Sequence, residues 1–436
     1  MIPSARLIWL VISVGFPAAL TWGLFPAAKL PALLAIGLIA AGAFFDALRK
    51  DKALAGIRVE FPPIARAIEG RDVILPIVIR NANGNARSIR LGFVAPDGVR
   101  TGAEERSMAL PAQTPAVQLS WECTPQRRGR YRIEECFVEA ESPFGLWTVR
   151  RRDPVTAEIR AYPSLREEAA FLAPRRGQVG LHALRQVGRG REFERLREYE
   201  AGDGLDDIHW KATARRGRPI TKVFQVERTQ EVYVVIDTSR LSGRTSGGQS
   251  MLDRAIKAAL VAGASVERHG DLFGVAGFSQ QVEAFVRARA GKTHYAACRD
   301  AIYELRSNQV SPDFDEIATF LRLRLRRRSL LLFLTALDDP LIAEQFTRAT
   351  RLLAARHLVI AGIVRPPGAA ELFSEENVES SRDVYRQLAG HFSWRKLREL
   401  ESTLSRQGVR LAQLEPERFI SGIVGVYDEV KQRQLI

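Results

Sequence analysis

The chain has 436 residues, 46% of them hydrophobic, which is length and apolar content for two or three domains with real cores and excludes a low-complexity protein. Its formal net charge of +14 suits an anionic lipid surface or nucleic acid. No zinc-ligand spacing, helix-turn-helix signature or aromatic ladder beside a basic strand accompanies that charge, so nucleic acid is not an expected partner.

Two uncharged apolar stretches, residues 7–24 and 30–45, open the chain. As a helix the first spans about 27 Å at ~1.5 Å per residue, close to a ~30 Å hydrocarbon core. Only Phe25 to Lys29 separate them, so residues 1–52 read as a two-helix membrane anchor whose partner is the lipid bilayer. A signal peptide would not be followed at once by a second apolar stretch, and no small-x-small cleavage site precedes Lys29. Arg49, Lys50, Lys52 and Arg58 follow the second stretch and Arg6 precedes the first. Basic residues stay on the cytoplasmic side, which places both termini and the soluble body in the cytoplasm.

Residues 53–163 alternate short strands with turns and predict a small β-sandwich acting as a spacer. Strands are expected at 73–79, 87–94, 117–123, 131–140 and 155–162, with turns at 96–98, 128–129 and 142–145. Cys123, Cys136 and Cys298 form no disulfide framework and suit a reducing compartment. The first two fall where neighbouring strands would let them face each other, and none has a convincing His partner in the sequence. Residues 164–226 form a basic connecting segment, with 175–177 and 188–191 loop-like, and carry the densest polar stretch of the chain.

From 227 to 436 strands alternate with helices, which predicts an α/β domain with a doubly wound, mostly parallel sheet. Strands are expected at 232–236, 272–278, 330–334, 358–364 and 409–414, and a final helix at 417–432.

The polar stretch carries Leu196-Arg197-Glu198-Tyr199, then Gly202-Asp203, Ile208-x-Trp210 and Ala214-Arg215. Together these residues resemble the signature of domain-of-unknown-function family 58. Arg127-Arg128-Gly129-x-Tyr131 and Ser142-Pro143-Phe144-Gly145-Leu146 are similar to motifs of the same family. The resemblance covers essentially the whole chain and implies a bacterial inner-membrane protein associated with a MoxR-type AAA+ ATPase. It makes Arg197, Glu198, Tyr199, Gly202, Asp203, Trp210 and Arg215 candidates for partner binding. Asp206 and Asp207 stand where basic residues are common in the family, so a contact made there by Arg would be altered.

The resemblance further implies a von Willebrand factor A-like domain at residues 227–436, whose relatives often hold Mg²⁺ through Asp-x-Ser-x-Ser, a distant Thr and a further Asp. Asp237 and Ser239 occupy the first two positions, but Leu241 replaces the last Ser and Ala336 follows Thr335 where Asp would stand. Asp338 and Asp339 lie nearby as substitutes, and Arg240 brings a positive charge beside the position. The site reads as degenerate, with Asp237 pairing with Arg240 or capping the next turn, and no cofactor is expected. Two functions follow. The first is a membrane-tethered, non-enzymatic adaptor that binds proteins. The alternative is a metal-dependent hydrolase using Asp203 to His209 or the Asp237 region. No catalytic residue is assigned, because Gly-x-Ser-x-Gly and Gly-Lys-Ser/Thr are absent and the acidic cluster is explained by turn chemistry and salt bridges with Arg197 and Arg215. Trp210 is expected to pack between this segment and the C-terminal domain.

Overall fold

The computed structural model describes residues 1–25, 29–83, 87–166, 168, 187–200, 208–225, 229–246, 248–366, 368–372 and 380–433. Its contacts group the chain into two compact units, Met1–Ser164 and Leu165–Ile436.

The first unit begins with β1 (Ile2–Pro3), α1 (Ala5–Leu10), a π-helical turn (Val11–Gly15) and α2 (Phe16–Leu24). Ser4 caps this run, its Oγ accepting from Leu7 N at 3.3 Å. The π turn has a cause in the sequence. Pro17 carries no N–H and its ring crowds the preceding turn, so the backbone widens and Phe16 N bonds Val11 O. Together the segments make one 20-residue helix, Ala5–Leu24, and α3 (Lys29–Leu48) makes a second of 20 residues. Both are long and apolar enough to cross a membrane. Trp9, Leu34 and Leu38 project outward from them. A short helix, α4 (Lys50–Ala53), leads into the sandwich.

The sandwich strands are β2 (Ile57–Glu60), β3 (Ile64–Ile68), β4 (Val73–Asn81), β5 (Arg87–Phe93), β6 (Val99–Thr101), β7 (Glu105–Leu110), β8 (Ala116–Pro125), β9 (Gly129–Glu141) and β10 (Trp147–Tyr162). One sheet runs β1-β10-β9-β5-β7, with β3 parallel to β10, and the other runs β2-β4-β8-β6. Alternation fills the space between them: Leu75, Ile77 and Ile79 of β4, with Trp121 of β8 beside them, meet Ile133, Val138 and Ile159 of the other sheet in one core. Pro76 sits inside β4 because β2 ends at Glu60, opposite Val78, leaving Pro76 paired only with Ser120 of β8. Strands β2, β3, β6 and β7 are additional to those expected from sequence. They are short or polar, so no apolar run announces them.

In the second unit β11 (Val187–Glu198) pairs with β12 (Ile220–Gln225) around a seven-residue helix, α5 (Trp210–Arg216). Residues 188–191, expected as loop, belong to β11, and the ladder is bulged between Val187 and Glu192. Residues 175–177 lie outside the described residues.

The α/β body follows as β13 (Glu231–Asp237), a small hairpin of β14 (Thr245–Ser246) and β15 (Gln249–Ser250), α6 (Met251–Arg268), β16 (Leu272–Phe278), β17 (Val282–Arg289), α7 (Lys292–Ile302), α8 (Phe314–Arg324), β18 (Ser329–Leu334), α9 (Pro340–Ala354), β19 (Leu358–Val364), α10 (Ser381–Arg406), β20 (Val409–Leu414) and α11 (Phe419–Gln432). The sheet order is β17-β16-β13-β18-β19-β20, parallel except for β17. Every residue of β13 and β18 is buried, which accounts for their continuous apolar sequences. Helices α6, α7 and α11 pack on one face through Ile256, Cys298 and Tyr427. The other face receives α8, α9 and α10 through Phe314, Phe346 and Leu404. Gly274 in β16 is required by close approach, because a Cβ there would stand 2.6 Å from the Tyr233 ring.

Candidate functional site

In a doubly wound sheet the crevice for ligands lies beyond the carboxyl ends of the strands, where the order reverses. Here the chain builds outward from β13 through β16 and β17, then returns to the other side of β13 with β18. Asp237 ends β13 and Thr335 follows β18, so the fold brings the two together across that reversal. Thr335 Oγ1 donates to Asp237 Oδ2 at 2.6 Å and Ser239 N donates to Oδ1 at 2.8 Å. Asp237 is 2% exposed. Burial pushes its carboxyl above the usual carboxylate range, against the bonds from Thr335 and Ser239 and with a further push from the charge of Glu283. Ser239 Oγ is buried and lacks a hydrogen bond of ordinary geometry among the described residues, although it lies close enough to favour the carboxylate.

A loop crosses these strand ends. Asn308 N donates to Thr238 O at 2.8 Å, Arg240 N to Val310 O at 2.9 Å, and Ser307 Oγ to Ser239 O at 3.0 Å. Glu283 Oε1 gathers Thr238 Oγ1 at 2.9 Å with Ser279 Oγ and Asn308 Nδ2, each at 2.5 Å. Asp237 therefore caps the following turn and makes no ion pair with Arg240, which is exposed. Asp338 pairs with Arg244, and Asp339 caps α9 by accepting from Leu341 N at 2.9 Å, so neither replaces the missing aspartate. Mg²⁺ demands near-octahedral oxygens and keeps several waters. One carboxylate whose two oxygens already accept bonds, covered by the loop at 307–310, is not a donor set that fits it. No cluster of three His, Cys, Asp or Glu side chains suited to a metal forms among the described residues.

The partner-binding candidates lie on the β11–β12 hairpin and α5. Glu198 pairs with Ile220 and Arg197 with Thr221 in the ladder. Their side chains form ion pairs, Arg197 with Glu200 at 2.8 Å and Glu198 with Arg218 at 2.7 Å, and Tyr199 N bonds Pro219 O at 3.0 Å. His209 is the helix cap: its Nδ1 accepts from Ala212 N at 3.1 Å. At the other end Gly217, at φ 67°, supplies the left-handed residue that closes α5. Trp210 is 70% exposed, which corrects the expected packing anchor. Arg215 projects into solvent with it. Gly202, Asp203, Asp206 and Asp207 lie outside the described residues.

The cysteines also settle differently from expectation. Cys123 lies on β8 and Cys136 on β9, which belong to opposite sheets rather than neighbouring strands of one. Burial pushes both thiols up to about 11. Cys298 does have a His neighbour, His294 Nε2 at 3.5 Å one helical turn away, but burial pushes its thiol up to about 12. A thiol held protonated is no nucleophile at neutral pH.

Asp46 is a buried site that the sequence reading overlooked. It is 0% exposed at the end of α3. It accepts from Ser142 Oγ at 2.5 Å and from Phe144 N and Leu146 N, each at 3.1 Å. Trp147 Nε1 donates to Ala43 O at 2.9 Å beside it. From the other helix, Ser4 Oγ donates to Gly145 O at 2.6 Å and Ser4 N to Leu146 O at 3.0 Å. The signal was present, since Asp46 is the only acidic residue among the first 50.

No curated protein matches this chain. Among solved structures it is similar to the conserved hypothetical protein BatB from Bacteroides thetaiotaomicron, at 12% identity and a TM-score of 0.32, covering 48% of this chain and 100% of that one. It is also similar to PapD-like domain 7 of human CEP192, at 12% identity and a TM-score of 0.20, covering 25% of this chain and 87% of that one. Likenesses of this size carry no functional argument. A family model described as "Protein of unknown function DUF58" matches residues 195–380, and over that stretch, which holds Arg197, Trp210, Asp237 and Ser239, the chain is similar to that family.

Proposed function

We propose that this chain is a membrane-anchored, non-enzymatic adaptor that recruits a protein partner. The observation that carries the reading is Trp210, exposed on a capped helix beside Arg215 on a hairpin braced by ion pairs. Trp and Arg are enriched at binding hot spots, Trp for the large area it buries and Arg for its planar head with five donors. The strand order with its single antiparallel strand supports a von Willebrand A-like reading of the second unit. The family resemblance makes a MoxR-type AAA+ ATPase the natural partner, in assembly or maturation of other complexes. The two apolar helices anchor the chain in the bacterial inner membrane. Arg6 before them and Arg49, Lys50 and Lys52 after them keep both ends cytoplasmic.

The test is affinity purification of the full chain from mild detergent with ATP, followed by mass spectrometry, for the wild type, Trp210→Ala and Asp237→Ala. An AAA+ ATPase is expected with the wild type, and Trp210→Ala is expected to lower its recovery at least tenfold. Absence of any ATPase, together with turnover of a substrate by the purified chain, would overturn the adaptor reading in favour of the hydrolase.

A further inference from the structure

The bonds to Asp46 fix more than a helix end. They hold the turn at residues 142–147 against the exit of α3, while Ser4 holds the same turn against the entrance of α1. Both membrane-proximal ends of the apolar pair therefore converge on one turn of the sandwich. What that turn presents outward is Phe144, 55% exposed, next to Phe45 of α3, 50% exposed. The Arg49 guanidinium lies against both rings, 4.4 Å from the Phe45 ring centre and 5.9 Å from that of Phe144. Arg6 reaches the same turn, 3.7 Å from Glu141. An aromatic pair that shares Arg49, continuous with apolar helices, has the chemistry of a bilayer interface. The phenyl rings suit the boundary of headgroups and acyl chains, and the Arg49 guanidinium suits lipid phosphates.

We propose that the turn at residues 142–147 is a membrane-seating element: clamped by Asp46, it sets Phe144 and Arg49 into the headgroup layer of an anionic bilayer and holds the sandwich against the membrane. This rests on the anchor reading above and assigns the sandwich a task beyond spacing. Asp46 and Ser142 are positioning residues, and Phe144 and Arg49 touch the lipid.

The full chain is reconstituted in nanodiscs of phosphatidylglycerol with a nitroxide on Phe144→Cys, and in parallel on Asp97→Cys. The three native cysteines are buried and stay unlabelled. Asp97 is the control, because its turn meets Tyr131 near the start of β9, whereas residue 142 follows the end of that strand. Collision with a water-soluble nickel chelate is expected to be at least threefold lower at 144 than at 97. Ser142→Ala and Asp46→Ala are expected to reduce that protection, and zwitterionic discs to weaken it. Equal accessibility of the two labels in a chain that has entered the discs would overturn this proposal alone. Strong spin–spin broadening between labels at 144 would assign the protection to a second protein copy and overturn it too. An intact chain that does not enter discs would sink this proposal together with the anchor reading.

Discussion

The two units each bury an aspartate, and they do so in opposite ways. Asp46 takes three donors from a turn about a hundred residues away in the chain, two of them backbone N–H groups that need an acceptor once buried. Its carboxylate joins two separate pieces of structure. Asp237 takes one backbone N–H from two residues on and one hydroxyl from Thr335, just past the neighbouring strand, beside a Ser239 hydroxyl without an ordinary partner among the described residues. There the carboxylate finishes a turn. The first arrangement uses both oxygens as acceptors, so an amide could not replace the carboxylate. In the second, burial works against the charge and a neutral amide would serve nearly as well.

That contrast can be broken by substitution. Asp46→Ala strands three donors, which at ~1 kcal/mol or more each should cost about 3 kcal/mol. Thermal unfolding of the detergent-solubilised chain should show a clear loss and earlier proteolysis at the 142–147 turn; a change under ~0.5 kcal/mol would mean the clamp is not needed. A smaller effect should come from His357, buried with neither ring nitrogen bonded among the described residues. Burial, aided by the charge of Arg356, holds its pKa below the ordinary 6.5. The unfolded chain then binds the proton first, so stability is full above pH 6.5 and falls as pH drops below it. Denaturant midpoints at neutral and mildly acidic pH should differ, and His357→Leu should shrink that difference. Asp237→Asn should stay within about 1 kcal/mol of the wild type, because Ser239 N keeps an acceptor and the Thr335 hydroxyl can turn to accept. A loss as large as that of Asp46→Ala would erase the distinction between the two sites. Smallest of all, Trp210→Ala should leave the midpoint within ~0.5 kcal/mol, as an exposed side chain away from any core, while removing partner recovery.

The site was legible in the sequence only as far as its residue types. Patterning placed the strands, and the family resemblance singled out Asp237, Ser239 and Thr335 at their ends; the structure brings all three together. That Arg240 would point outward and the 307–310 loop would cover the strand ends did not follow, because both depend on backbone hydrogen bonds between distant segments. Trp210 was misplaced for a related reason: an aromatic signals burial on average, but whether a surface receives it is a property of the assembled fold.

By itself the sequence determined the elements with strong periodicity: two apolar helices, the buried strands β13, β18 and β19, and the alternation that makes the second unit α/β. Such elements are written locally, since a strand covered on both faces must be apolar throughout and a helix long and apolar enough to cross a membrane is apolar all round. Tertiary structure alone decided the polar partnerships, with Asp46 in the turn at 142–147, Asp237 with Thr335, and the two core cysteines on opposite sheets. Those contacts join residues far apart in the chain, and no local spacing records which donor a buried oxygen will meet.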